Sequence, residues 1–396
     1  MDTSAVAPKE ARAERTVQPN LDAFVVRLLR WWIQVDQNPM LNALVNPRAR
    51  FASIPILLAF LVANMPVVGQ MPVAGVRAPP SNTIWEAQLG EFSVDQYHRA
   101  VEAVLAGFEQ STGRLLVPGE KGRVGLKVYT ESGPGISTPL KLVRSVVAAL
   151  ERRGFEREQL FIVGLNDSRL RSAGFLPPLS LGGDTFGGIP VYILESGDYY
   201  DPLWFYDSPL PSRINSLLMD DEPTREVSEY ERKSFLAVPL LLDVDFWINL
   251  PVYTDHPVLG INGALVNATL WNASNTLRFF RSPANAPAAV AEIAAIPELQ
   301  QGWVFTLVSL ERFQFIGGPI FNSLYTRTEP RLWLSQNPVI LDALMRERID
   351  AGRRESGFRP LPREMRLLAY AEQIGLGSSD TLFARWQQVD PVNVEW

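Results

Sequence analysis

Apolar residues near the start of the chain recur with a helical period. Leu21, Phe24, Val25, Leu28, Trp31, Trp32 and Val35 follow the i, i+3, i+4, i+7 rule after Asn20, an N-cap residue type. Arg27, Arg30 and Gln34 fall between them. The spacing predicts an amphipathic helix whose tryptophans and arginines suit the headgroup layer of a membrane; a helix packed on the protein's own core shows the same period. An uncharged run then extends from Phe51 to Val76, bounded by Arg50 and Arg77 and densest at FASIPILLAFLVA. It is long enough to span a bilayer, although Asn64, Pro66, Gln70 and Pro72 weaken its second half. Three readings compete: a transmembrane helix, a signal peptide cleaved near Ala74–Gly75, and a buried or re-entrant hairpin. Arg27, Arg30, Arg48 and Arg50 precede the run and favour the first, with the N-terminus cytoplasmic. Trp31, Trp32, Ile56, Leu57, Leu58, Phe60 and Leu61 are then the expected anchor residues.

From residue 79 onward the pattern changes to that of a water-soluble α/β domain. Residues 122–130 (GRVGLKVYT) alternate like a strand. A loop with Gly133, Pro134 and Gly135 follows, then Thr138 and Pro139 in N-cap and N1 positions of a helix ending at Gly154. QLFIVGLN, residues 159–166, reads as the next strand. This βαβ unit predicts a mostly parallel or mixed sheet flanked by helices. Further strands are expected at 188–194, 244–250 and 303–310, and helices at 338–352 and 362–375. The charge-rich stretch 220–233 reads as a loop or solvated helix, and the tail VDPVNVEW as loosely packed. The expected organisation is a flexible tail (1–20), an interface helix plus anchor (21–78) and an extracytoplasmic domain (79–396).

Composition removes several chemistries. The chain of 396 residues has no cysteine, which excludes disulfides, thiolate catalysis and iron–sulfur ligation by its own residues. With His98 and His256 as its two histidines, a histidine-rich metal site is excluded too, and no cofactor or metal is expected. A formal charge of -6 argues against nucleic acid as a partner. The 31 prolines point to many loops.

Candidate chemistry concentrates in two places. The Gly-Pro-Gly loop before a helix N-terminus could cradle an anion, but it matches neither a dinucleotide fingerprint nor a P-loop. Residues 248–272, INLPVYTDHPVLGINGALVNATLWN, hold Asn249, Asp255, His256, Asn262 and Asn267 after a strand, where open α/β sheets bind ligands. Asp255 and His256 could form an acid–base pair, or the histidine could be structural.

These segments resemble the domain of unknown function 362 family of bacterial and archaeal proteins. The likeness runs from about Gly122 to Asp380 through LKVYT, TPLKLVRSVVAALERRG, INLPVYTDHPVLGINGALVN, FQFIGGPIF, LWLSQNPVILDALMRERI and LLAYAEQIGLGSSD. Lys127, His256, Asn267 and Asp342 match the family pattern; Thr254 and Val266 stand where it has lysine, and Asn337 where it has aspartate. The resemblance implies a fold and a degraded ancestral site.

Together these observations predict a non-catalytic accessory subunit of a bacterial inner-membrane complex, respiratory or photosynthetic, with integral membrane subunits and the lipid bilayer as partners and the bulk of the chain in the periplasm. The alternative is a membrane-anchored envelope enzyme, a hydrolase or oxidoreductase, using Lys127, Asp255, His256 and Asn267. A third reading is a secreted binding protein.

Overall fold

The computed structural model describes residues 80–208, 229–281, 283–362 and 366–391. Contacts divide the chain between Val76 and Arg77, and every described residue belongs to the second part. The strands are β1 (Thr83–Gln88), β2 (Val124–Val128), β3 (Leu160–Gly164), β4 (Thr185–Phe186), β5 (Ile189–Ile193), β6 (Tyr200–Asp207), β7 (Lys233–Ala237), β8 (Phe246–Leu250), β9 (Thr254–His256), β10 (Gly260–Asn262), β11 (Trp303–Ser309), β12 (Phe313–Gln314), β13 (Thr326–Arg327), β14 (Arg331–Ser335) and β15 (Arg385–Val389). The helices that shape the domain are α1 (Val94–Thr112), α2 (Leu140–Arg152), α3 (Ala264–Ala268), α4 (Asn285–Ala294), α5 (Pro338–Glu355) and α6 (Leu367–Gln373).

Nine strands form one mixed sheet in the order β15-β1-β14-β11-β8-β2-β3-β5-β4. The block β11-β8-β2-β3-β5 is parallel; β14 runs against both β11 and β1, and β15 pairs parallel with β1. β2, β3, β8 and β11 are buried along their whole length, because helices cover both faces. On one face Leu126, Ile162, Ile248 and Leu250 pack against α1 and α2 through Val104, Phe108, Val143 and Val146. On the other, Phe161, Val163 and Trp247 meet Leu265, Val266, Val290 and Ile340 of α3, α4 and α5. A small sheet, β10-β9-β12-β13, and the ribbon β6-β7 complete the architecture.

The expected α/β class with a mixed sheet and flanking helices is what the domain has, and the β2–α2–β3 unit lies where the pattern placed it. One local detail differs. Pro139, not Thr138, is the N-cap of α2 and offers no side-chain bond. The Thr138 hydroxyl is spent elsewhere, donating to Leu250 O at 2.6 Å and accepting from Tyr129 N at 2.8 Å. It therefore ties the βα loop across to the end of β8.

The segments that the sequence pattern does not predict include α1, the β6–β7 ribbon, the strands β1, β14 and β15, and the helices α3 and α4. The first is capped at both ends, by Ser93 accepting from Gln96 N and by Gly113 in the left-handed region at φ 70°. Of the charge-rich stretch, residues 220–228 lie outside the described residues, while Glu229–Arg232 form a helical turn and Lys233 opens β7. Of the tail, Val389 ends β15 and 392–396 lie outside. No described helix is long and apolar enough to cross a membrane. The expected interface helix and anchor, with Trp31, Trp32, Ile56, Leu57, Leu58, Phe60 and Leu61, lie outside the described residues.

Candidate functional site

The chain leaves β2 through α2 toward β3 on one side, whereas β8 and β11 lie on the other. The carboxyl ends of β2 and β8 therefore flank a topological switch point, where a doubly wound sheet opens a crevice. A buried polar row crosses the sheet there. Lys127 pairs in register with Asn249, Asn249 with Thr306, and Thr306 with Ser335, so all four side chains share one face. All four are buried, although apolar side chains surround them.

α3 closes over this row and supplies Asn267. Its Nδ2 donates to Asn249 Oδ1 at 2.8 Å and more weakly to Lys127 O at 3.4 Å. Asn249 Nδ2 donates in turn to Ala264 O at 2.8 Å and approaches Thr306 Oγ1 at 3.4 Å. The N-terminus of α3 is capped from below by Asp342 of α5, which accepts from Ala264 N at 2.7 Å and Leu265 N at 3.2 Å. Gly263 makes this approach feasible: a Cβ there would sit 2.1 Å from the Tyr253 ring and 2.6 Å from Asp342 Oδ1. Burial lifts the Asp342 carboxyl to about 7, against the pull of the Ala264 N–H toward the charged form.

Lys127 is the most unusual member. It is 1% exposed, and its ammonium donates to Val128 O at 3.0 Å. Burial pushes it down to about 7, opposed by the nearby Glu131 carboxylate. Glu131, in the loop after β2, is itself raised by burial; Lys127 pulls it the other way and Glu195 adds to the rise. Asn267 Oδ1 has no hydrogen-bond partner among the described residues.

Lys127 and Asn267 thus come together, while Asp255 and His256 go elsewhere. Adjacent in β9, they project to opposite faces: His256 is in register with Gly260 and Asp255 with Ile261. Asp255 accepts from Gly317 N and Gly318 N and pairs with Arg353 Nη1 at 3.1 Å, bracing the loop after β12. His256 Nδ1 accepts from Val258 N and Leu259 N, both at 3.1 Å, and so caps the β9–β10 turn. Burial holds its pKa down near 4, so the ring is neutral at pH 7. It lies tilted against Phe280, which in turn contacts Trp271, and Trp271 meets Tyr129 edge-on. The two residues act as turn braces, not as an acid–base pair.

The Gly-Pro-Gly loop lines a surface groove of about 230 Å³ with Ser137, Thr138 and Glu311. Its Gly135 carbonyl accepts from Arg312 Nη1 at 2.6 Å, which spends that cation on the loop itself. Among the described residues no cluster of three or more acidic or histidine side chains could hold a metal. Asn249, one of the polar residues of 248–272, and Asp342, one of the matches to the family pattern, join the site, and Glu131 completes it as the member that the sequence does not single out. The available signal for Asn249 was an amide inside the apolar run FWINL; for Glu131 it was the acidic residue just past the carboxyl end of a strand.

No protein-family model matches the chain, and no curated protein matches it. Among solved structures it is similar to the crystal structure of a protein from Thermotoga maritima, a structural-genomics target, at 10% identity and a TM-score of 0.33. The match covers 72% of this chain and 60% of that one, a likeness too loose to carry function across.

Proposed function

We propose that this chain is a non-catalytic accessory subunit of a larger bacterial membrane complex, held by its N-terminal segment and docking through its α/β domain. The observation that supports the reading is the closure of the switch point. Lys127, Asn249 and Asn267 are almost wholly buried and bond to backbone and to one another, so they offer no reactive atom to a substrate. Thr254 and Val266, where the resembling family has lysine, are also fully buried, consistent with a site filled in by its own side chains. The experiment is a mild-detergent pull-down of the tagged full-length protein from native membranes. A stoichiometric set of integral membrane subunits is expected; recovery of the chain alone overturns the reading.

One observation favours a second reading, an envelope enzyme centred on Lys127 instead of His256. A lysine near neutral at pH 7, beside a carboxyl raised by burial, is the kind of pair that acid–base and nucleophilic catalysis use. Competitive amine labelling at pH 7.5, read by peptide mass spectrometry, discriminates. Preferential modification of Lys127 supports this reading; reaction of exposed Lys121 with Lys127 untouched removes it.

A further inference from the structure

Two charges of opposite sign stand near each other at the end of β2 without touching. Lys127 spends one of its three ammonium protons on Val128 O and forms no ion pair among the described residues. Glu131, in the loop beyond, receives only a 3.4 Å approach from its neighbour Thr130 Oγ1. Each feels the other's field, and Arg169 and Glu195 act on Glu131 in opposite senses.

Two carboxamides beside them each keep one unspent atom, and the hydrogen bonds fix which atom it is. Asn249 Nδ2 faces the Ala264 carbonyl, so Asn249 Oδ1 takes the proton of Asn267 Nδ2, and Asn267 Oδ1 is left as an acceptor. The same Asn267 amide approaches Lys127 O at 3.4 Å. Asn262 Oδ1 accepts from Trp271 Nε1 at 2.6 Å, so the atom left there is the donor Nδ2. The Asn262 carboxamide lies beside the hydroxyl of Tyr129, which follows β2 directly. Thr254, paired across the ladder with Asn262 and on the same face, adds an unspent hydroxyl. Asn262 and Asn267 are each 1% exposed, a depth at which unspent polar atoms are rare and costly.

Sorted by sign, the unspent groups form two halves. Lys127 Nζ and Asn262 Nδ2 donate, and Glu131 and Asn267 Oδ1 accept. A carboxylate suits the first pair and an ammonium the second. We propose that the carboxyl end of β2 binds a small zwitterion, an α-amino acid, with its carboxylate held by Lys127 and Asn262 and its ammonium by Glu131 and Asn267. Enclosure restricts the ligand to the smallest amino acids. Glu131 is the member of the set that reaches solvent, and entry is past it. A non-catalytic subunit can hold such a ligand as readily as an enzyme can, so the inference stands apart from any membrane partner.

The full-length protein in mild detergent is titrated at pH 6.5 with glycine, L-alanine and L-serine in turn, followed by calorimetry. Saturable one-to-one binding of at least one of them is expected, with acetate and methylammonium, the separate halves, binding far more weakly. Lys127→Met and Glu131→Gln should each weaken that binding roughly 10–150-fold, the worth of one charge-assisted hydrogen bond. Lys121→Met, at an exposed lysine, should leave it unchanged. Native tryptophan emission identifies folded variants; if Glu131→Gln unfolds, Lys127→Met decides alone. Silence from all three amino acids, binding that survives the substitutions, or acetate binding as tightly as the amino acid overturns the inference.

Discussion

Replacing Lys127 with methionine should make the domain more stable, and by an amount that depends on pH. The ammonium is enclosed, it forms no ion pair among the described residues, and burial brings its pKa to about 7 from the ordinary 10.5. At ~1.36 kcal/mol per pH step, that gap corresponds to roughly 5 kcal/mol of folding free energy withheld at and below neutral pH. Methionine fills a similar volume without the charge and gives up one hydrogen bond, about 1 kcal/mol. The net gain is then about 4 kcal/mol near pH 6.5. Between pH 7 and 10.5 the unfolded chain binds a proton that the folded chain does not, so the native protein gains stability as pH rises through that window. By pH 9 the advantage of Lys127→Met should shrink to about 1 kcal/mol. Urea unfolding of the full-length protein in mild detergent, followed by tryptophan fluorescence at pH 6.5 and 9, measures both quantities. A loss of stability in the variant, or a gain independent of pH, refutes the reasoning. It would mean that Glu131 holds the lysine charged, so that its removal strands a buried carboxylate at a cost of about 3–5 kcal/mol.

Other substitutions probe the rest of the site. Gly263→Ala drives a methyl into the Tyr253 ring and should cost about 3 kcal/mol or prevent folding, seen as a lowered urea midpoint. Asn267→Ala removes the donor to Asn249 Oδ1 and should cost about 1–3 kcal/mol by the same assay. Because burial depresses His256 to about 4, its native state loses stability as pH falls from 6.5 through 4. His256→Asn, which keeps an acceptor for the Val258 and Leu259 amides, should flatten that acid limb. Asp342 titrates in the opposite sense: its raised pKa makes stability fall as pH rises from about 4 to 7, and Asp342→Asn should abolish that slope.

The parts legible in the sequence were those whose apolar pattern is both dense and local. β2, α2 and β3 combine short buried runs with a glycine stop, and period alone locates them. α1 carried a readable stripe as well, in Tyr97, Val101, Val104 and Phe108, but Asp95, Arg99, Glu102 and Glu109 interrupt its apolar character. β15 offered nothing to read. RWQQV is polar and exposed, and becomes a strand because β1 presents it an unpaired edge. Lys127 and Asn267 were found as candidates; their meeting depends on α3 folding back over the β2–β8 boundary, which no spacing encodes. Asp255 and His256 drew attention by adjacency, the property that in a strand sends two side chains to opposite faces.

The position of β1 bears on how the molecule is made. It is the first strand of the domain, yet its hydrogen-bonding neighbours are β14 and β15, and its buried Glu86 is satisfied by Arg331, Trp333 and Gln388. During vectorial synthesis the start of the domain therefore has no partners until its last strands have emerged. A chain tethered early at its N-terminus would hold β1 open through most of translation, with an unpaired edge and a carboxylate awaiting its donors. Truncation of the last twenty residues should leave β1 paired with β14 and Glu86 held by Arg331 and Trp333, but strip the outer edge of β1 and the Gln388 donor to that carboxylate.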